Sequence, residues 1–155
     1  MRRARAKQRK VAPDPKFGDV VMARFMNAMM WDGAKATTQT IFYGALEQVS
    51  AAEKRDGGEL FYEALANVKP SLEVRSRRVG GATYPVPMQV RPERAQAMAI
   101  RCLIKSARKR SEKTMMGRLA AEIRDAVGQR GASVKWRQDL EKMAEANRAF
   151  SHYRW

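Results

Sequence analysis

Arg75, Arg77 and Arg78 crowd just before Gly80-Gly81, and Arg94, Arg101, Lys105 and Arg108 recur at steps of seven, four and three residues. Both groupings are suited to phosphate. The guanidinium fork donates paired hydrogen bonds and keeps its charge at any physiological pH. Steps of seven, four and three place the second group on one stripe of a helix, where unrelieved like charges destabilise an isolated helix. A helix stabilised by its own ion pairs would alternate signs. The alternative in each case is a solvated basic face.

Other reactive side chains do not converge. His152 is the sole histidine and has no nucleophile partner in the pattern. Cys102, the sole cysteine, sits beside Leu103 and Ile104 and reads as a small buried hydrophobe. It can form no internal disulfide, and no Cys/His cluster suggests a metal. Gly80-Gly81 lacks the context of either phosphate-cradling loop and reads as a turn. No cofactor is implied, and no enzyme is expected.

These cations belong to a chain of 155 residues with 31 Lys+Arg against 16 Asp+Glu, a formal charge of +15. That excess favours a polyanionic partner, with nucleic acid ahead of an anionic membrane surface. The length suits one domain, and 45% apolar content suits a packed core. No apolar run approaches the roughly 20 residues of a membrane span, and the start lacks a secretory core. A cytoplasmic location is the default. The basic start is brief for an organelle transit peptide and runs directly into Pro13-Asp14-Pro15.

The expected architecture is mainly α: about six helices with one protruding β-hairpin. Residues 1–12 form a basic arm, disordered when free, that orders along phosphates. Residues 13–155 form the folded part. Asp19 caps a first helix with the stripe Met22, Phe25, Met26, Met29 and Met30, ended by Gly33. Helices over about 35–54 and 59–68 follow, separated by the Asp56-Gly57-Gly58 turn. Their apolar stripes are Ile41, Phe42, Ala45, Leu46, Val49 and Leu60, Phe61, Ala64, Leu65, Val68. In the hairpin, about 72–90, Leu72, Val74, Val86, Met88 and Val90 are expected to share a buried face, and Pro85 and Pro87 mark an edge strand. A fourth helix runs from Pro92 to about Arg110 and buries Ala97, Ile100, Leu103, Ile104 and Ala107. A fifth covers about 115–128, with Met115, Leu119, Ile123, Ala126 and Val127. A sixth covers about 135–150, with Trp136, Leu140, Met143, Ala144, Asn147 and Phe150.

No zinc-finger spacing, basic zipper or aromatic strand motif for RNA is present. A helix-turn-helix remains compatible with an all-helical pattern. Broad basic contact fits a folded RNA read by shape, and it also fits a DNA-packaging protein. An RNA-cleaving enzyme is a third reading, since basic grooves also serve nucleases.

The run Pro70-Ser71-Leu72-Glu73-Val74-Arg75-Ser76-Arg77-Arg78-Val79-Gly80-Gly81-Ala82-Thr83-Tyr84-Pro85-Val86-Pro87 closely resembles the bacterial small-subunit ribosomal protein seven family. So do Asp14-Pro15-Lys16-Phe17-Gly18, Val90-Arg91-Pro92 and the ending from Met143 to Trp155. The resemblance implies a non-catalytic protein of the small ribosomal subunit. It would bind the 3′ major domain of 16S ribosomal RNA and nucleate head assembly. Its hairpin would lie near the exit transfer-RNA site and the messenger RNA path, with ribosomal proteins nine, eleven and thirteen as neighbours. It implies RNA contacts at Arg2, Arg3, Arg9 and Lys10, at Lys35, at Arg75, Arg77 and Arg78, and at Arg91, Arg94, Arg108, Lys109 and Arg110. The helical stripe adds Arg101 and Lys105. Val79, Gly80 and Gly81 would form the tip nearest transfer RNA. Two departures stand out. Ala34 and Ala36 replace members of a basic run, leaving Lys35. Cys102 stands where the family commonly has tryptophan, and Leu103 and Ile104 are expected to fill that space.

Overall fold

The computed structural model describes residues 9–153. The expected disorder of the arm falls mostly on residues 1–8, outside the described residues, as do Arg2 and Arg3. Helix α1 spans Val20–Met29, and the Asp19 carboxylate caps it by accepting from the Val21 N–H at 2.5 Å. It ends earlier than expected. Met30 is already extended, and Gly33 instead closes the following turn as the second of two left-handed residues, after Asp32. Upstream, the buried Asp14 carboxylate accepts from the Lys16 and Phe17 N–H groups and from the Tyr43 hydroxyl at 2.5 Å. This ties the proline-rich approach to the second helix. Burial and the Asp14 carboxylate push the Tyr43 hydroxyl up to about 12.

Helix α2 is Lys35–Glu53, stopped by Lys54 in the left-handed conformation. Helix α3 is Gly57–Val68 and starts two residues before the expected position, because Asp56 caps it by accepting from the Glu59 N–H at 3.0 Å. A Cβ on Gly57 would stand 2.8 Å from the Leu46 carbonyl oxygen, so glycine here lets α3 approach α2.

Strands β1, Leu72–Val79, and β2, Ala82–Gln89, form an antiparallel pair closed by Gly80-Gly81, both with positive φ. The register runs from Leu72 opposite Gln89 to Val79 opposite Ala82. This corrects the expected apolar face. A two-residue loop pairs odd positions with even ones, and paired residues share a face. Val86 and Met88 therefore lie with Glu73, Arg75 and Arg77, while Leu72 and Val74 lie on the other face with Pro87 and Gln89. Val86 is the fully buried residue of the ribbon and Glu73 is also buried, whereas Leu72 and Val74 are half-buried.

Helix α4 is Pro92–Lys109, α5 is Met115–Val127 and α6 is Gly131–Ala146, followed by a 3-10 helix, Arg148–Tyr153. Helix α5 packs against α2, α3, α4 and α6. Phe25, Phe42 and Phe61 meet with centroids 5.2 to 5.4 Å apart, Phe61 edge-on to the other two. Ala97 proves only partly buried; Ala95, Ala99 and Cys102 line the buried side of α4 with the expected Ile100, Leu103, Ile104 and Ala107.

Helix α6 starts four residues before the expected position, and Met143, expected in its apolar stripe, is half exposed. Phe150 lies beyond α6, in the 3-10 helix, 5.5 Å from Tyr84, and Tyr153 stacks on Tyr84 at 4.9 Å. The ribbon rests on α6 and this 3-10 helix, and its glycine tip is exposed. Replacing Phe42 by Ala would empty the centre of the aromatic cluster. The expected loss is about 3–5 kcal/mol, read from the urea midpoint at unchanged slope.

Candidate nucleic-acid interface

Burial of Ala99, Ile100, Leu103, Ile104 and Ala107 on one side of α4 leaves Arg94, Arg101, Lys105, Arg108 and Lys109 exposed on the other. Arg91 is exposed just ahead of the helix, and Lys35 is exposed at the first residue of α2. Arg9 and Lys10 are exposed as well. Among the described residues, no carboxylate lies within 4.0 Å of the charged nitrogens of Arg101, Lys105, Arg108 or Lys109. Solvent and salt screen their mutual repulsion. Arg108 is steadied differently: its Nη2 donates to the Met29 carbonyl at 2.9 Å, and its guanidinium lies 4.8 Å from the centre of the Trp31 ring.

The hairpin arginines have an acid of their own. Glu73, with a side chain only 8% exposed, accepts from Arg75 Nε at 2.5 Å and from Arg94 Nε at 2.8 Å. Arg75 and Arg94 are still about half exposed, at 44% and 51%, so each retains donors for a further anion. Arg77 donates to the Tyr153 carbonyl and so fastens the ribbon to the chain's last described turn. Arg78, on the opposite face, is exposed. Val79 is half-buried and Gly80 and Gly81 are exposed at the tip. Sequence reasoning missed Glu73. The signal was available, because Glu73 occupies a strand position that the register pairs with Met88, next to Val86.

Arg110 departs from the rest. It is mostly buried and binds three carboxylates: Glu112 at 2.8 Å, Glu122 at 2.9 Å and Asp125 at 2.8 Å. Burial opposes its charge, but the hydrogen bonds to Asp125, Glu112 and Glu122 outweigh that and raise its pKa further. The arginine bridges the end of α4 to α5. Glu122 is fully buried and extends the bridge, since its Oε1 accepts from the Ser133 N–H at 3.0 Å and the Ser133 hydroxyl at 2.6 Å. A carboxylate on α5 thereby caps the first turn of α6. Glu122 was also legible in principle, for it completes the stripe of Leu119, Ile123 and Ala126.

The model for the family described as ribosomal protein S7p/S5e matches residues 1–148 of the chain. The chain belongs to that family. The small ribosomal subunit proteins uS7 of Rhizorhabdus wittichii and Rhodospirillum centenum are each 60% identical to it over 154 residues, covering 99% of both chains. The uS7 of Mesorhizobium japonicum is 58% identical over the same span.

The S7p/S5e family consists of ribosomal structural proteins and not enzymes. Burial pushes the Cys102 thiol up to about 11, which keeps it protonated and unreactive at neutral pH. Cys102 turns toward α6, with its sulfur 3.8 Å from the Ser133 carbonyl. Met98, Ala132 and Trp136 border the space beside it; Leu103 and Ile104, expected to fill it, are buried in the same core cluster as Cys102 but do not line that space. His152 is exposed, with its ring 4.1 Å from that of Tyr153. Among the described residues, no three His, Cys, Asp or Glu side chains are grouped to hold a metal.

The division between outward and inward cations is measurable. Arg110→Ala strands the buried Glu122 charge, with an expected cost of about 3–5 kcal/mol in chemical denaturation. Arg101→Ala, on the solvent side of α4, is expected to stay within about 0.5 kcal/mol of the parent.

Proposed function

We propose that this protein is a structural component of the small ribosomal subunit whose α4 stripe grips the 3′ major domain of 16S ribosomal RNA and helps nucleate the head. The observation that carries the reading is the run Arg101, Lys105, Arg108 and Lys109, held in solvent on one side of α4 with no carboxylate among the described residues within 4.0 Å of their charged nitrogens. Arg91, Arg94, Lys35, Arg9 and Lys10 extend it, and Arg2 and Arg3 join from the arm. Arg110 contributes by fixing α4 to α5, not by meeting phosphate. Arg75, Arg77 and Arg78 set the ribbon's charge, and the tip, Val79 to Gly81, reaches toward exit-site transfer RNA and the messenger RNA path. Ribosomal proteins nine, eleven and thirteen are the protein neighbours on this reading. The arm, residues 1–12, and the folded part, residues 13–155, act as one RNA-binding unit in the cytoplasmic subunit.

Filter binding to a transcript of the 3′ major domain across a salt series tests this. Affinity is expected to fall with a log–log slope of about −0.7 to −0.9 per neutralised phosphate. Arg101→Ala is expected to reduce that slope by about one contact while leaving stability alone. Near-flat salt dependence, or equal affinity for duplex DNA in competition, would contradict the proposal and, in the second case, favour DNA compaction.

Shortening the ribbon by removing residues 76–83 separates grip from reach. Helix content and RNA affinity are expected to hold, while transfer-RNA retention or reading-frame maintenance in reconstituted subunits changes. Loss of the folded state on deletion would contradict the assignment of the tip to reach alone.

A further inference from the structure

We infer that Trp31 is a stacking platform for one unpaired nucleobase of the bound RNA, seated at the mouth of an apolar groove between α1, α2 and the α4–α5 corner. The inference rests on the RNA-binding reading above and deepens it. Trp31 is 69% exposed, the most exposed of the large apolar side chains among the described residues. Exposure of one indole is ordinary in itself, but Trp31 adjoins an apolar groove with a guanidinium against its ring, and an apolar patch rimmed by charge marks an interaction site. It is not on a floppy segment. The Ala34 N–H donates to the Trp31 carbonyl at 2.9 Å, and the left-handed pair Asp32 and Gly33 fixes the turn between them. Arg108 lies 4.8 Å from the ring centre and is itself anchored on the Met29 carbonyl. The indole nonetheless keeps most of its surface in water, so there is room for a second planar partner.

The groove beside it has a volume of about 400 Å³, and its lining includes Met29, Trp31, Ile41, Met115, Arg108 and Arg118. That volume lies within the range of about 300–1,000 Å³ usual for small planar or drug-sized ligands. The floor is apolar and the charged lining groups are both arginines. Lys35 stands one residue from the lining residue Ala34. The nearest acid in sequence, Asp32, is exposed and does not line the groove. An aromatic face with cations around it and no carboxylate in its walls matches a base with its phosphates. An apolar protein side chain could pack on the arginine stems but would leave both guanidinium charges without an anion.

The test uses the full chain and the same 3′ major domain transcript. Trp31→Ala is expected to weaken binding about five- to 140-fold, the equivalent of about 1–3 kcal/mol for one base–aromatic stack. Its salt slope is expected to match the parent's, since no charge is removed. Trp31→Phe is expected to keep most of the affinity. The Trp31 emission, taken as the parent minus Trp31→Phe, is expected to be quenched by the transcript. Parent-like binding by Trp31→Ala, or emission indifferent to RNA, overturns the inference, while a steep parental salt slope in the same experiment leaves RNA binding intact. A slope reduced as much as in Arg108→Ala also overturns it, because Trp31 would then act only by holding Arg108. Emission that responds to other small-subunit proteins and not to the transcript assigns the groove to a protein and overturns it as well. Failure of the parent to bind the transcript counts against the proposed function itself.

Discussion

Each outward cation of α4 is held in position by the apolar burial of the helix's other side. A chain with a formal charge of +15 gains nothing from gathering arginine and lysine on one helix unless something else fixes that helix. Ile100, Leu103 and Ile104 supply the fixing, and α5 behind them meets α2, α3 and α6 as well. The core therefore acts as a frame that keeps like charges at helical spacing despite their repulsion. Preorganisation of this kind lowers the ordering cost that a flexible basic segment would meet on binding.

The few buried acids complete the frame. Glu73 couples the ribbon to α4 by accepting from Arg75 and Arg94 together, and Glu122 couples α4 to α5 and α6 through Arg110 and Ser133. Both are carboxylates in positions that a purely apolar stripe would have filled. A buried ion pair is a doubtful source of net stability. It does, however, fix geometry, because its hydrogen bonds are directional where apolar contacts are not. Here that geometry sets the angle of the basic ribbon against the basic helix.

Much of this was readable from residue order. The 3.6-residue recurrence of Phe42, Ala45, Leu46 and Val49, and of Leu119, Ile123 and Ala126, located α2 and α5 because one buried side imposes that period. Asp19 marked the start of α1 for a local reason, its own carboxylate reaching the second residue on. What escaped was decided at longer range. The start of α6 depends on Glu122 from another helix, and no inspection of residues near 131 could find it. The end of α1 is set by a turn at Asp32-Gly33 that reverses the chain after Met30 has already left the helix. Arg108, pointing out, and Arg110, folded in, stand two residues apart across the end of α4, and the split depends on three acids supplied by the next segment. Within the ribbon the error was arithmetic: strand positions of equal parity were grouped although the loop joins unequal ones.

That arithmetic has a consequence for how such a ribbon can change over descent. With two residues at the bend, the arms can grow or shrink only in matched couples if every rung is to stay filled. A lone insertion in either arm either buckles it or rolls the distal side chains over, exchanging the occupants of the sheltered side for those of the open side. With an insertion nearer the base, Arg77 and Tyr84, which fasten the ribbon to the 3-10 helix, would then look away from it. Lineages altering the span of this finger should therefore do so in even increments, or keep a kink as the record of an odd one.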